Sequence, residues 1–432
     1  MNQRPKILTL GWEFPPLYTG GLGPACYGLS KALSQHADLT IILPRLAPSF
    51  SMKNVQFIGL NRKTAARSQW KNKKQASFSS VEAVPSELQS SYPIHNQYNF
   101  KDTDDSFFTR EESFQLFNEE NIYGPSIMEK VAAYRQNVCS IAAHKSFDII
   151  HAHDWITYPA AVQLKKITGK PLVVHVHSLE TDRVHALSRN KVYEIEKKGM
   201  EAADYILPVS EYTKSNIIQH YRIKAEKIVA VYNGYDQEFQ TANTRAKKNS
   251  ATPTSKNVLF LGRITAQKGP EYLVETAKKL LAKKSDVTFY IAGTGDMQTH
   301  LEWLVQKEKL ENKIIFTGFL DKAGVKKMLS MTDAYIMPSV SEPFGLSALE
   351  AAQYNIPCVL SKQSGAAEVM PHTLQSDYWD TDKMADYLYA LLHYSGLSET
   401  LTEKTSAHLP HINWEISAKK VLDVYSSLLS TN

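Results

Sequence analysis

Two carboxylates around a glycine open the reading. Ser341 to Ala352 run SEPFGLSALEAA, with Glu342 and Glu350 eight positions apart on either side of Phe344-Gly345-Leu346. A helix beginning around Gly345 would turn free N–H groups and the positive end of its dipole toward an anion. Glu342 would then lie in the loop ahead of the anion, and Glu350 about 7 Å along the helix axis, at ~1.5 Å per residue, behind it. A nucleotide diphosphate sugar has that order of sugar, diphosphate and ribose, with hydroxyls at both ends for a carboxylate to accept from. The same E-x7-E spacing also marks solvated helix faces, so its meaning depends on the stretches that accompany it.

Three further stretches carry matching chemistry. FLGRITAQKGPEYL (260–273) leaves an apolar run with Arg263 and Lys268 five positions apart and a helix expected near Pro270. A guanidinium fork beside an ammonium point charge suits a diphosphate, although surface charge would look alike. GWEFPPLYTGGLG (11–23) offers Gly20, Gly21 and Gly23 just ahead of a helix expected near Pro24, where backbone N–H groups can approach an anion. Its glycines do not follow G-x-G-x-x-G, and the second strand ends in LPR rather than an acidic residue, which disfavours a dinucleotide cofactor. Two runs end in alternating histidines, HAHD (151–154) and HVHS (175–178). Since positions i and i+2 of a strand share a face, one member of each pair can point into a cleft. Zinc held by His153, His177 and Asp154 would need two distant strands to converge; structural histidines and a ligand-facing polar role are the other readings.

The elements that must position these groups repeat along the chain. Apolar β-branched runs at 6–11, 38–44, 147–153, 171–177, 203–210 and 227–234 alternate with helical or turn-rich segments, as do runs at 257–263, 286–293, 313–319, 333–339 and 356–362. That alternation predicts buried parallel sheets, where ligands bind beyond the carboxyl ends of the strands. At 432 residues the chain suits two α/β domains of about 200 residues each. We expect the first over 1–240, a polar linker over 241–256, the second over 257–410, and an amphipathic helix over 411–432 that closes the chain. Residues 46 to about 125 break the rhythm and read as an insertion with short strands; its basic run NRKTAARSQWKNKK (61–74) reads as a solvated loop or a hold for an anionic acceptor. A net charge of +5 is too mild to argue for nucleic acid or a membrane surface. Cys26, Cys139 and Cys358 lack metal-type spacing and fit buried positions in a reducing cytosol. The N-terminus reads as a first strand, with no signal peptide or membrane anchor expected.

Taken in order, GGLG (20–23), HAHDW (151–155), HVHS (175–178), VSEYT (209–213), VYNGYD (231–236), GRITAQKG (262–269), SEPFGLSALEAA (341–352) and SKQSGAAEV (361–369) resemble the retaining glycosyltransferases of the GT-B fold, most closely glycosyltransferase family 4 and the bacterial glycogen and starch synthases. The resemblance covers nearly the whole chain outside 46–125. It implies two Rossmann-like domains facing each other over a donor cleft, with the C-terminal helix crossing back to the first.

Carried onto matching positions, Arg263 and Lys268 look like the diphosphate clamp, Gly345 and Leu346 like backbone donors, and Gly20 and Gly21 like the opposing glycine loop. Glu350 resembles the ribose ligand, Glu342 the carboxylate on the transferred sugar, and His177 the histidine near the reacting carbon. Asn233 is expected on the donor side, and Asp154 and His153 on the acceptor side or elsewhere in the cleft. The implied reaction moves a hexose, glucose foremost, from UDP-glucose, ADP-glucose or a similar donor to a hydroxyl acceptor such as an α-glucan, with retention and with no metal or other cofactor. An epimerase acting on the donor alone and a non-catalytic nucleotide-sugar binder are the competing readings. One departure bears on the donor: the K-x-G-G usual in glycogen and starch synthases is Tyr18-Thr19-Gly20-Gly21 here.

Overall fold

Strands buried on both faces need helices on both sides, and the chain supplies them between successive strands except between the second and third of the first sheet. The computed structural model describes residues 4–18, 20–48, 50–61, 108–119, 121–183, 189–235, 255–283 and 286–430. The first sheet holds β1 (Lys6–Leu10), β2 (Asp38–Leu43), β3 (Val55–Gly59), β4 (Ile149–His153), β5 (Leu172–Val176) and β6 (Tyr205–Pro208), in the order β3-β2-β1-β4-β5-β6. The second holds β7 (Lys256–Leu261), β8 (Val287–Ala292), β9 (Ile314–Gly318), β10 (Ala334–Met337), β11 (Cys358–Ser361) and β12 (Leu374–Ser376), in the order β12-β11-β10-β7-β8-β9. Every pairing between these strands is parallel. Counted from its own first strand, each sheet has the doubly wound order in which direction reverses between strands one and four. Those switch points lie between β1 and β4 and between β7 and β10, and the strand ends there carry most of the residues singled out above.

The expected strand at 227–234 does not form. A short 3-10 turn, Ala225–Lys227, leads into a segment that meets β6 only at an isolated Ile206–Ile228 bridge. Val229 and Val231 donate to the carbonyls of Ile206 and Pro208 at 3.0 and 2.8 Å, but Pro208 has no N–H to give back, so no ladder grows. The stretch 46–125 contributes β3 to the first sheet and the helix Arg110–Asn118, while residues 62–107 lie outside the described residues. Of the expected linker over 241–256, only Ser255 and Lys256 are described, and Lys256 already opens β7.

Two helices fix the first switch point from behind. Tyr134, fully buried on the helix Ile127–Ala142, donates to the carbonyls of Gly11 and Ile42 at 3.1 and 2.8 Å, tying down the exits of β1 and β2. The last helix, Trp414–Ser430, packs against the helix Leu22–Leu33, where Gly28 is required: a Cβ there would lie 2.2 Å from the Trp414 ring. Ser417 and Lys420 donate to the Tyr232 and Ala230 carbonyls, and the Tyr425 hydroxyl reaches His151 Nδ1 at 2.6 Å. Among the described residues no helix is long and apolar enough to cross a membrane.

Candidate functional site

At the second switch point two loops are zipped together by one carbonyl. The loop after β7 makes a 3-10 turn, Ala266–Lys268, and the Gln267 carbonyl accepts from the amides of Val340 and Ser341 in the loop after β10 at 3.0 and 3.3 Å. This brings Lys268 Nζ onto the buried carboxylate of Glu342 in a close ion pair, with Ser339 Oγ donating to the same oxygen at 3.4 Å. The Glu342 backbone is held as well, its amide on the Gln363 carbonyl and its carbonyl under the Gly365 amide. A carboxylate pinned at both backbone and side chain is already oriented before any ligand arrives.

Directly after it the chain enters the helix Leu346–Gln353 through Gly345. Gly345 has φ +103°, a conformation that L side chains rarely adopt, which explains a glycine at the helix start. The helix begins where the sequence places it; the Ala348 amide donates to the Gly345 carbonyl at 3.1 Å, which leaves the Leu346 and Ser347 amides as the first-turn N–H groups facing outward. Glu350 lies half-buried on the last turn, and burial of its carboxyl pushes its pKa up to about 7, against the pull of Lys322. Arg263 leaves β7 half-buried at the head of the same loop.

The first switch point is neutral where the second is charged. His151, His153, His175 and His177 stack as rings on one face of β4 and of β5 with its following residue, and of the four only His177 is partly exposed. The cause is the parallel register, which sets His153 beside His175. Burial lowers all four pKa values, His153 to about 3, so the imidazoles are neutral at physiological pH. His153 Nδ1 and His177 Nε2 stand 2.9 Å apart. Asp154, in the left-handed region at φ +59°, accepts from the amides of His177 and Ser178 at 2.7 and 3.4 Å. Burial pushes its carboxyl up to about 7, with those two amides and Arg183 pulling the other way. The trio of His153, His177 and Asp154, weighed above as one reading beside structural and ligand-facing histidines, is not the set the fold gathers. Cys26, on the Leu22–Leu33 helix, replaces Asp154 beside the two histidines.

The two switch points face each other. A Cβ built on Gly21 would lie 3.8 Å from Leu346 Cδ1, while one on Gly20 would meet nothing within 4 Å, so the glycine loop lies over the start of the Gly345 helix with open space beside it. Tyr18, ahead of that loop, is close enough for both Glu13 and Glu350 to raise its pKa, behind the larger effect of burial. Asn233 is buried, lining a small cavity with Tyr232, His411, Asn413 and Lys420 where the last helix returns.

Sequence reasoning missed the contacts that bridge the halves. Asp182, buried, accepts from Ser341 Oγ at 2.7 Å, from the Leu179 amide at 2.8 Å and from Asn216 Nδ2 at 3.3 Å. Tyr212 donates its hydroxyl to Ser341, Ser210 donates to the Pro343 carbonyl, and Glu368 accepts from the amides of Glu211 and Tyr212. VSEYT holds Ser210, Glu211 and Tyr212, SKQSGAAEV holds Glu368 and SEPFGLSALEAA holds Ser341 and Pro343, so these motifs marked the place while the pairing needed the fold; Asp182 lies in none of them. Behind Asp182, Arg183 spans Ser178, Glu180 and Glu196 at 2.7–2.9 Å and holds the turn that follows His177.

Two family descriptions match the chain in tandem: starch synthase catalytic domain over residues 6–248 and glycosyl transferases group 1 over residues 242–406. The chain is 29% identical to an uncharacterized glycosyltransferase of Methanocaldococcus jannaschii over 97% of both chains. It is 25% identical to a glycogen synthase of Mycobacterium tuberculosis over 84% of this chain and 80% of that relative. Its fold matches the GT-B structures of sucrose-phosphate synthase from Thermosynechococcus elongatus (TM-score 0.70, 18% identity, 99% and 100% of the two chains) and the catalytic domain of starch synthase IV from Arabidopsis thaliana, solved with ADP and acarbose (TM-score 0.68, 17% identity, 99% of each).

Proposed function

The chain belongs to the starch synthase catalytic domain family, and from that premise we propose that it is a retaining hexosyltransferase of glycosyltransferase family 4. It moves glucose from UDP-glucose or ADP-glucose to a hydroxyl of a sugar or α-glucan. The observation that carries this reading is the Lys268–Glu342 pair fixed beside the Gly345 helix start, with the glycine loop of the other half at contact distance above it.

In this reading the diphosphate lies on the first-turn amides of the Leu346–Gln353 helix, between Arg263, Lys268 and the Gly20-Gly21 loop. Glu342 accepts from the sugar hydroxyls and Glu350 from the ribose. The bond from the anomeric carbon to the diphosphate oxygen breaks, and the charge that grows on that oxygen is met by cations and amides already in place. The acceptor oxygen bonds to the same face of the same carbon, and its proton passes to the departing diphosphate. His177, held neutral by burial, accepts or donates one hydrogen bond at the sugar without adding charge. His153 and Asp154 lie beneath it on the acceptor side, and Asn233 acts through the returning last helix rather than by direct contact. Paired carboxylates flanking the bond, as in glycosidases, are not used. A cytoplasmic location, where nucleotide sugars are made, belongs to the same reading.

The test is a thermal-shift screen of nucleotide sugars followed by release of the nucleotide diphosphate with and without glucan acceptors, reading the anomeric configuration of the product by proton NMR. A protected donor, acceptor-dependent release and an α-linked product support the proposal. Conversion of the donor sugar without an acceptor would replace it with an epimerase, and binding without turnover over a broad acceptor panel with a sensor.

A further inference from the structure

The floor of the first switch point holds more donor atoms than a single hydrogen bond from His177 to a sugar requires. The four imidazoles on β4 and β5 lie with ring centroids 4.5–5.5 Å apart. Cys26 comes in from the Leu22–Leu33 helix, so that one donor atom each from Cys26, His153 and His177 lies within 4.8 Å of the other two. Around tetrahedral zinc, with Zn–N near 2.0–2.1 Å and Zn–S near 2.3 Å, such atoms stand about 3.3–3.6 Å apart. The required closure is a small adjustment of side chains.

A further observation points to a ligand. Among the described residues, His177 Nδ1 is buried without a hydrogen-bond partner. Buried ring nitrogens are ordinarily satisfied, and an orphaned one beside a thiol and a second imidazole is open to a cation.

We propose that Cys26, His153 and His177 form a binding site for a borderline-soft divalent cation of the zinc class, entered from the cleft past the partly exposed His177, with water as fourth ligand. Binding replaces the thiol proton, which leaves to solvent, while both imidazoles coordinate in their neutral form. For the transferase proposed above the ion is an inhibitor, because metal-bound His177 no longer has that nitrogen for the sugar. This consequence rests on the transferase reading, whereas the site itself does not.

The purified full-length chain, stripped with a chelator, is titrated with Co²⁺ as a spectroscopic stand-in. One equivalent is expected to bind with tetrahedral d–d absorption and a sulfur-to-cobalt charge-transfer band, releasing one proton per ion to a pH indicator. Cys26→Ser removes the charge-transfer band, His153→Gln and His177→Gln each weaken binding by roughly tenfold or more, and Cys139→Ser changes nothing. Zinc-edge X-ray absorption on the unmutated chain, which depends on no variant's folding, finds one sulfur near 2.3 Å and nitrogens near 2.0–2.1 Å. A band that survives Cys26→Ser, a site lost in His151→Gln but kept in His177→Gln, or a shell without sulfur overturns the proposal. Nucleotide-sugar turnover is assayed separately on the metal-free chain. Its absence would sink the transferase reading and leave the metal result untouched.

Discussion

The two halves share one strand order, yet the ends of their middle strands carry opposite chemistry. Between β7 and β10 the fold places an ion pair, Lys268 with Glu342, and a helix N-terminus behind a left-handed glycine. Between β1 and β4 it places stacked neutral imidazoles and a carboxyl whose pKa is pushed to about 7. The scaffold therefore dictates where a ligand is met, and the residues at the strand ends dictate which part of the ligand is met there. In the proposed function a charged diphosphate is assigned to the second switch point, and an uncharged sugar carbon and an incoming hydroxyl to the first.

If that division is right, the largest losses come from the charged half. Lys268→Ala removes a cation from the diphosphate and leaves the Glu342 carboxylate buried without its partner, so nucleotide release in the presence of acceptor should fall about 10²–10³-fold or more. His177→Ala, in the neutral half, should cost kcat while leaving donor affinity within a few-fold, because it touches the sugar and not the diphosphate. Steady-state kinetics and donor titration on both variants test the division. Equal losses of donor affinity in the two would break it.

The contacts joining the halves give the next effect. Asp182→Ala strips a buried acceptor from Ser341, Leu179 and Asn216 together, leaving donors unpaired at a cost of about 1–3 kcal/mol each. Denaturant unfolding should show a loss of a few kcal/mol. Asp182→Asn, which keeps an oxygen acceptor, should recover most of it.

Protonation separates the halves in another way. Asp154 has a folded pKa of about 7 against an ordinary 3.8, so between those values the folded chain keeps a proton that the unfolded chain has lost. Its contribution to stability is fully present below about pH 4 and is lost as pH rises toward 7, by up to about 1.4 kcal/mol per pH unit. Asp154→Asn should flatten that part of the stability profile. Glu350, also near 7, shifts in the same direction, but in the proposed role of ribose ligand it would serve as a carboxylate. Donor affinity should therefore rise from pH 6 to pH 8 and lose that rise in Glu350→Gln. Isothermal titration at three pH values is sufficient to show it.

How much of this the sequence disclosed depends on how local the signal was. Glu342, Gly345 and Glu350 share one turn-and-helix segment, so spacing alone placed a helix start between the carboxylates, and the structure caps that helix with Gly345. Lys268 reaches Glu342 across 74 positions, and spacing gave only their separate suitability for a ligand. The histidine stack was half legible: alternation gives one face per strand, but the register that merges both faces into one stack is a pairing between strands. Cys26 was read as an isolated buried thiol because its helix meets β4 only in the folded chain. The run at 227–234 misled for a local reason, since its apolar pattern is that of a strand while its neighbour ends in Pro208, which cannot complete a ladder.

The smallest expected effect addresses the position where this chain leaves the glycogen and starch synthase pattern. Tyr18 occupies the place of the usual lysine, packed beside Gly23 and within electrostatic reach of Glu13 and Glu350. Tyr18→Lys would add a cation to the neutral half, at the edge of the cleft where two carboxylates can hold it. Part of its charge would be spent on Glu13 and Glu350, and the rest would reach the diphosphate through partly solvated space. The affinity for a nucleoside diphosphate should therefore tighten only a few-fold, more at low salt than at 0.5 M, because screening over a few ångströms removes most of an exposed interaction. A gain of a hundredfold or more would mean that the diphosphate draws most of its binding from the glycine-loop side rather than from the Gly345 helix. The charged and neutral halves would then have to be assigned the other way round.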